Sequence, residues 1–184
     1  MATSRELLLI DADVLIDYAV AEVEILGLVT RHVGAVHVVE SVLREAPRLR
    51  PSDCDRLGIQ IVQPSLGQLL QAGENRGRLS FNDRLSLIVA RDAGWTCVSN
   101  DRALRKACGE YQVPVWWGLE LMLALVRIRE LEGEAALAVA QAIHVSNPRH
   151  ITAEILERFA RQVERAELKC GTYRPLGIGS SGRN

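Results

Sequence analysis

Short apolar runs alternate with amphipathic ones along most of this chain. Runs at 6–11, 35–39, 59–63, 96–99 and 113–116 are apolar on consecutive positions and rich in Leu or β-branched residues, as strands covered on both faces are. Between them the helical period holds over 13–33, 40–47, 52–57, 66–75, 81–93 and 101–111. The alternation predicts an α/β fold, a three-layer sandwich around a mostly parallel central sheet. Gly34 and Gly94 stand just before strands, where helix stops are expected. From 117 onward the pattern predicts helices alone, over 119–131, 134–145 and 152–168. The first of these is apolar almost all round and needs cover from another layer or subunit. The last carries the stripe Ile155, Leu156, Phe159, Val163 and Ala166. The expected organisation is a domain over 1–126, a helical C-terminal extension over 127–174 packed on that domain or on a partner, and a Gly- and Ser-rich tail over 175–184 expected to be disordered.

Composition narrows the function little. At 184 residues, with 48% hydrophobic and 24% charged, the chain is an ordinary globular protein, and a net charge of −1 gives no overall basic field. Lys106 and Lys169 are the only lysines among 22 cations. Genome composition explains that bias plainly; the sharper reading is that Arg forks suit phosphate. Cys54, Cys97, Cys108 and Cys170 form no pair with metal-site or disulfide-scaffold spacing, so reduced thiols in a cytoplasmic protein are expected. Glu6 and Asp11 interrupt the N-terminus before any signal-like segment. Val113 to Val126, the most apolar later stretch, holds Pro114 and Glu120 and is too short to span a bilayer. No membrane partner is expected.

The candidate chemistry lies in acids at element junctions. Asp11 closes Leu7-Leu8-Leu9-Ile10, and Glu45 follows Val36-His37-Val38-Val39 by one short helical segment. Asp83 opens the amphipathic stretch 82–93, and Asp101 follows Cys97-Val98-Ser99. In a parallel sheet the carboxyl ends of the strands share one edge, where ligands bind. Each acid also has a plainer role. Asp11 and Asp101 stand where helix N-caps stand, Ser80 to Asp83 reads as a capping box, and Glu45 suits a solvated helix face. Caps, however, accept Ser, Thr or Asn equally well, and Asp13 adds another acid beside Asp11. Two carboxylates about 5 Å apart repel by about 3 kcal/mol at an effective dielectric near 20. A cluster of them is pushed toward its protonated form unless a cation neutralises it. Oxygen-only donors suit Mg²⁺ or Mn²⁺, and such ions assist phosphodiester cleavage.

These segments resemble the PIN-domain ribonuclease family. Leu8-Leu9-Ile10-Asp11-Ala12-Asp13 is similar to the family's opening motif. Val36 to Glu45 resembles its second motif, a strand leading to a helix with an essential Glu. Leu79 to Ala90 resembles the third, with Asp83 as the acid, and Cys97-Val98-Ser99-Asn100-Asp101 the fourth. The resemblance runs from about 6 to 126 with all motifs in order. It implies a PIN-like (Rossmann-like) fold and a Mg²⁺- or Mn²⁺-dependent endoribonuclease, commonly the toxin of a toxin–antitoxin pair, with RNA as substrate and an antitoxin protein as partner. It assigns Asp11, Glu45, Asp83 and Asp101 as catalytic acids, with Asp11, Asp83 and Asp101 at the metal and Ser99 supporting them. Asp13 departs from the usual small polar residue and could join the metal site as a further acid. The extension beyond 126 is longer than in minimal toxins. Glu40 competes with Glu45, which is preferred because it is placed within the helix after the strand. The apolar helix 119–131 and the amphipathic helix 152–168 point to a homodimer.

Other readings are weaker. Asp11-Ala12-Asp13-Val14 also looks like the first motif of haloacid-dehalogenase-type phosphatases, with Asp11 as nucleophile, Asp13 as general acid, and Ser99 and Lys106 in support. No acidic pair follows Lys106, as that family requires. A receiver domain needs an Asp at the end of the third strand, and Ile59 to Pro64 supplies none. A PIN-like module that binds RNA or protein without cutting is the non-enzymatic alternative. The arginines near the motifs, Arg44, Arg48, Arg50, Arg76, Arg78, Arg84, Arg102 and Arg105, are candidate phosphate contacts, with a solvent-facing or i, i+4 role as the plainer reading for any one of them. Trp95, Trp116 and Trp117 are expected to pack rather than stack on bases.

Overall fold

Leu8, Leu9 and Ile10 are fully buried in β1 (Glu6–Ile10), because helices cover the strand on both faces. In the computed structural model, which describes residues 5–74 and 77–171, β1 is the centre of a five-stranded sheet. The others are β2 (Gly34–Val39), β3 (Gln60–Val62), β4 (Thr96–Val98) and β5 (Val115–Trp116). All pairings are parallel and the order is β3-β2-β1-β4-β5. Between β1 and β3 run α1 (Ala12–Ala21), α2 (Glu24–His32), α3 (Glu40–Leu43) and α4 (Pro51–Leu57). Between β3 and β5 run α5 (Leu66–Glu74), α6 (Phe81–Ala93) and α7 (Arg102–Glu110). The chain builds outward from β1 to β3 and then returns to build outward from β4. Right-handed crossovers therefore put the two helix groups on opposite faces. The result is a three-layer, Rossmann-like α/β sandwich whose order reverses between β1 and β4.

Two predicted helices differ in extent. The stretch 13–33 is two helices, α1 ending where Glu22 turns extended at φ −164°. No Gly or Pro marks that break, so hydrophobic period alone runs through it. The stretch 40–47 is helical only to Leu43, after which Glu45 and Ala46 donate to the carbonyls three residues back. Pro47 accounts for the stop, since it lacks an N–H and disfavours helical geometry in the residue before it. Glu45 consequently sits just past the helix rather than within it. Gly34, expected as a stop before the strand, opens β2 itself and pairs with Glu6. A Cβ there would stand 2.3 Å from the Glu6 carbonyl oxygen, so only glycine fits.

The C-terminal helices are α8 (Gly118–Arg127), α9 (Gly133–Ser146) and α10 (Ala153–Gly171). α8 lies against α2, α9 and α10, and α9 lies against α1. Leu121, Met122, Leu123 and Leu125 of α8 are buried within this chain, so the expectation that a second subunit covers them loses its basis. Phe159 and Val163 of α10 share one core with Leu8 and Val38. Arg76 and the segment 175–184 lie outside the described residues. Cys54, Cys97 and Cys108 are free and buried. No described helix is long and apolar enough to cross a membrane.

Candidate active site

Reversal of strand order between β1 and β4 opens a crevice at their carboxyl ends, the usual ligand site of such sheets. Asp11 stands directly after β1, and its amide donates to the Val98 carbonyl at 3.0 Å, continuing the β1–β4 ladder. That register brings Ser99 alongside. The buried Ser99 hydroxyl donates to Asp11 Oδ2 at 3.0 Å and accepts from the Asp101 amide at 3.0 Å. One serine thus orients both the acid after β1 and the turn after β4.

Asp11 is 3% exposed and occupies the N-cap position of α1 without any side-chain capping bond. Burial raises its carboxyl to about 7, with the Asp83 charge next and that of Asp13 smaller. The Ala12 amide and the Ser99 hydroxyl pull the other way without offsetting the burial. Asp13 is raised too, chiefly by burial. Asp101, Asp83 and Glu45 push it further up, while His150 pulls it down. Asp11 thus feels Asp83 and Asp13, and Asp13 feels Asp83, Asp101 and Glu45.

Their detailed engagements are less uniform. Asp83 completes the capping box of α6, accepting from the Ser80 amide at 3.0 Å while the Ser80 hydroxyl accepts from the Asp83 amide. Asp101 caps α7, its Oδ1 accepting from the Leu104 amide at 2.7 Å. Both plain capping roles are thus realised, each through one carboxylate oxygen. Glu45 accepts from the Asn82 side chain, which in turn accepts from the Ser41 hydroxyl at 2.7 Å. Asn82 thereby links the turn after α3 to the start of α6. Glu40 is turned to Arg44 in a 2.6 Å pair, whereas Glu45 is among the charges that raise Asp13, which favours Glu45 of the two.

A second polar layer lies behind these acids. Asp17, one helical turn after Asp13, is 2% exposed and accepts from Asn100 at 3.0 Å and from Asn147 at 2.9 Å. Burial raises it to about 6 despite those two amides. Asn100 also accepts from the Gly118 amide at 2.9 Å, and the Tyr18 hydroxyl donates to the Gly118 carbonyl at 2.8 Å. His150 Nδ1 lies 3.1 Å from Asp13 Oδ2. Asn147 and His150 both come from the turn between α9 and α10, so the extension reaches the acids directly. Asp17 could have been found from its i+4 spacing to Asp13; His150, 137 positions away by numbering, carries no such signal. Replacing His150 with Ala is expected to raise the Asp13 carboxyl further, because its one opposite charge is lost. A carbon-detected NMR titration of the Asp13 carboxyl reads this, and an unchanged titration would remove His150 from the site.

Mg²⁺ or Mn²⁺ can be tested against these donors. In chemistry they fit: every candidate is a carboxylate, and a cation would offset both the burial and the Asp83 charge that raise Asp11. In position they do not enclose an ion: among the described residues no three His, Cys, Asp or Glu side chains converge as ligands. Asp83 and Asp101 each hold one oxygen in a cap, and Asp13 faces His150. Lys106, the base required by the phosphatase alternative, pairs with Glu110 at 3.6 Å and makes no ion pair or hydrogen bond with Asp11. Arg105 and Arg84, candidate phosphate contacts, are structural. Arg105 donates to the Ser99 carbonyl and lies over the Trp117 ring, and Arg84 donates to the carbonyls of Ala72 and Leu79. Trp95 stacks on His37 with ring centroids 3.9 Å apart.

Fold and site together define a parallel α/β protein with acids gathered where its strand order reverses. No family model, curated protein or solved structure matches this chain.

Proposed function

We propose that the protein is a metal-dependent endoribonuclease of the PIN type. The observation that carries this reading is the buried Asp11 carboxyl, raised to about 7 at the β1–β4 switch point by burial and by the charges of Asp83 and Asp13, with Asp101 and Glu45 acting in turn on Asp13. A purely structural cap would gain nothing from such crowding, which costs stability whenever the group is ionised. Asp11, Asp83 and Asp101, with Asp13 beside them, are the residues that would hold Mg²⁺ or Mn²⁺. The ion's chemistry there, when bound, is to make water a better nucleophile at neutral pH and to offset charge on the phosphate. The chain's own contribution is placement. Ser99 fixes Asp11 and the Asp101 turn, Asn82 fixes Glu45, and the capped ends of α6 and α7 present Asp83 and Asp101 from rigid elements. The toxin role and the antitoxin partner rest on the motif resemblance alone.

Incubation of a mixed RNA pool with Mn²⁺, wild type beside Asp101→Asn, tests the proposal. Cleavage by wild type and its loss in the variant is the expected result. Equal cleavage by both, or none by either, would contradict it.

A further inference from the structure

The face of the molecule between α6 and α7 holds a groove of about 950 Å³ that begins at Asp101 and ends near Tyr111. Two helical stripes make its walls: Arg84, Leu87, Ile88 and Arg91 at i, i+3, i+4 and i+7 on α6, and Arg102, Ala103, Lys106 and Ala107 on α7. The two alanines leave room where longer side chains would close the gap. Arg78, Arg84, Arg91, Arg102 and Lys106 supply five cations against Glu74, Asp101 and Glu110. Arg84 and Arg91 are held by neighbours, Arg91 by Asp92 and Gln71. Arg102 and Lys106 are exposed on α7, Lys106 in only a loose pair with Glu110 at 3.6 Å. Tyr111 is 51% exposed at the far end.

We propose that this groove carries single-stranded RNA to the acids, with its backbone along Arg102 and Lys106 and a base stacked on Tyr111. The proposal deepens the nuclease reading and rests on it for where the strand leads, since Asp101 belongs to both groove and site. A phosphate chain approaching five carboxylates is repelled unless cations flank the approach, and here they line one side of it. Basic walls, an apolar floor and an accessible aromatic are the makings of a single-strand track. At about 1.5 Å per residue, the ten steps from Asp101 to Tyr111 span about 15 Å, or roughly four stacked nucleotides at about 3.4 Å each. An acidic peptide would meet the same cations, but its path would end against the carboxylates, where only a scissile phosphate has chemistry to do.

The test is fluorescence anisotropy of a labelled oligouridylate of about 12 nucleotides, in chelator so that cleavage plays no part. The full-length protein is compared with Arg102→Glu/Lys106→Glu, with Tyr111→Ala, and with Arg161→Glu/Arg165→Glu on the exposed side of α10. The groove pair is expected to weaken binding at least tenfold and to lower the salt slope by about 1.4, at about 0.7 per phosphate contact. Tyr111→Ala is expected to weaken it about tenfold, and the α10 pair to change nothing. Equal loss from the α10 pair, no loss from the groove pair, or equal competition by duplex RNA or polyglutamate would overturn the proposal. Groove-dependent binding by a protein that cuts no RNA with Mn²⁺ would leave the track standing and the nuclease reading fallen.

Discussion

Asp11→Asn is expected to lower Mn²⁺-dependent RNA cleavage by about a thousandfold or more, with the protein still folded. Loss of a residue that merely supports a metal ligand costs about 10–100-fold, and Asp11 is placed as a ligand itself. The substitution keeps size and shape. The Asn carbonyl can still accept from Ser99, whose hydroxyl lies 3.0 Å from Asp11 Oδ2. What disappears is the buried charge, so the folded protein gains stability at pH 8 in chelator even as activity is lost. Cleavage assays and thermal melts on one preparation read both effects. A structural acid behaves the other way: its replacement lowers stability and leaves any activity in proportion to the folded fraction. Retained cleavage would remove Asp11 from the chemistry.

In chelator, stability is expected to fall as pH rises from about 4 to about 7. Asp11 is raised from 3.8 to about 7 and Asp17 to about 6, both by burial. Between the unfolded and folded values the folded chain holds protons that the unfolded chain has released. That contribution is complete below the unfolded value and gone above the folded one. For the 3%-exposed Asp11 the difference corresponds to about 4 kcal/mol at most, and each kcal/mol moves Tm by about 2–4 °C in a chain of this size. Asp11→Asn should lose the Asp11 share over the whole range from about 4 to about 7 and retain the share due to Asp17, which ends near pH 6. Melting curves from pH 4 to 8 measure this directly. A flat or rising Tm over that range would mean that burial of these two carboxyls has been misjudged.

The sheet was legible because consecutive apolar residues in strands such as Leu8-Leu9-Ile10 have only one economical use, burial between two helical layers. Asp11, Asp83 and Asp101 were legible because strand ends and helix starts are marked by local residues, and parallel topology gathers them without further information. Glu45 was found, but its setting was not. Pro47 cuts the helix short, and the carboxylate is instead held by Asn82 from a helix nearly forty residues later. The break at Glu22 escaped notice because it has no Gly or Pro to announce it. The polar layer of Asp17, Asn100, Asn147 and His150 was legible only at Asp17, through its spacing from Asp13. Its pairings depend on α9 and α10 folding back against α1, and no local pattern encodes that return.

If acids at the β1–β4 switch point share a divalent cation, Mn²⁺ titrated against Tm at pH 8 reveals it. Mn²⁺ is expected to raise the wild-type Tm by several degrees, as a ligand bound only by the folded state must at about 100 times its Kd, and to leave Asp11→Asn unmoved. A wild-type Tm indifferent to Mn²⁺, or an equal rise in both proteins, would contradict it.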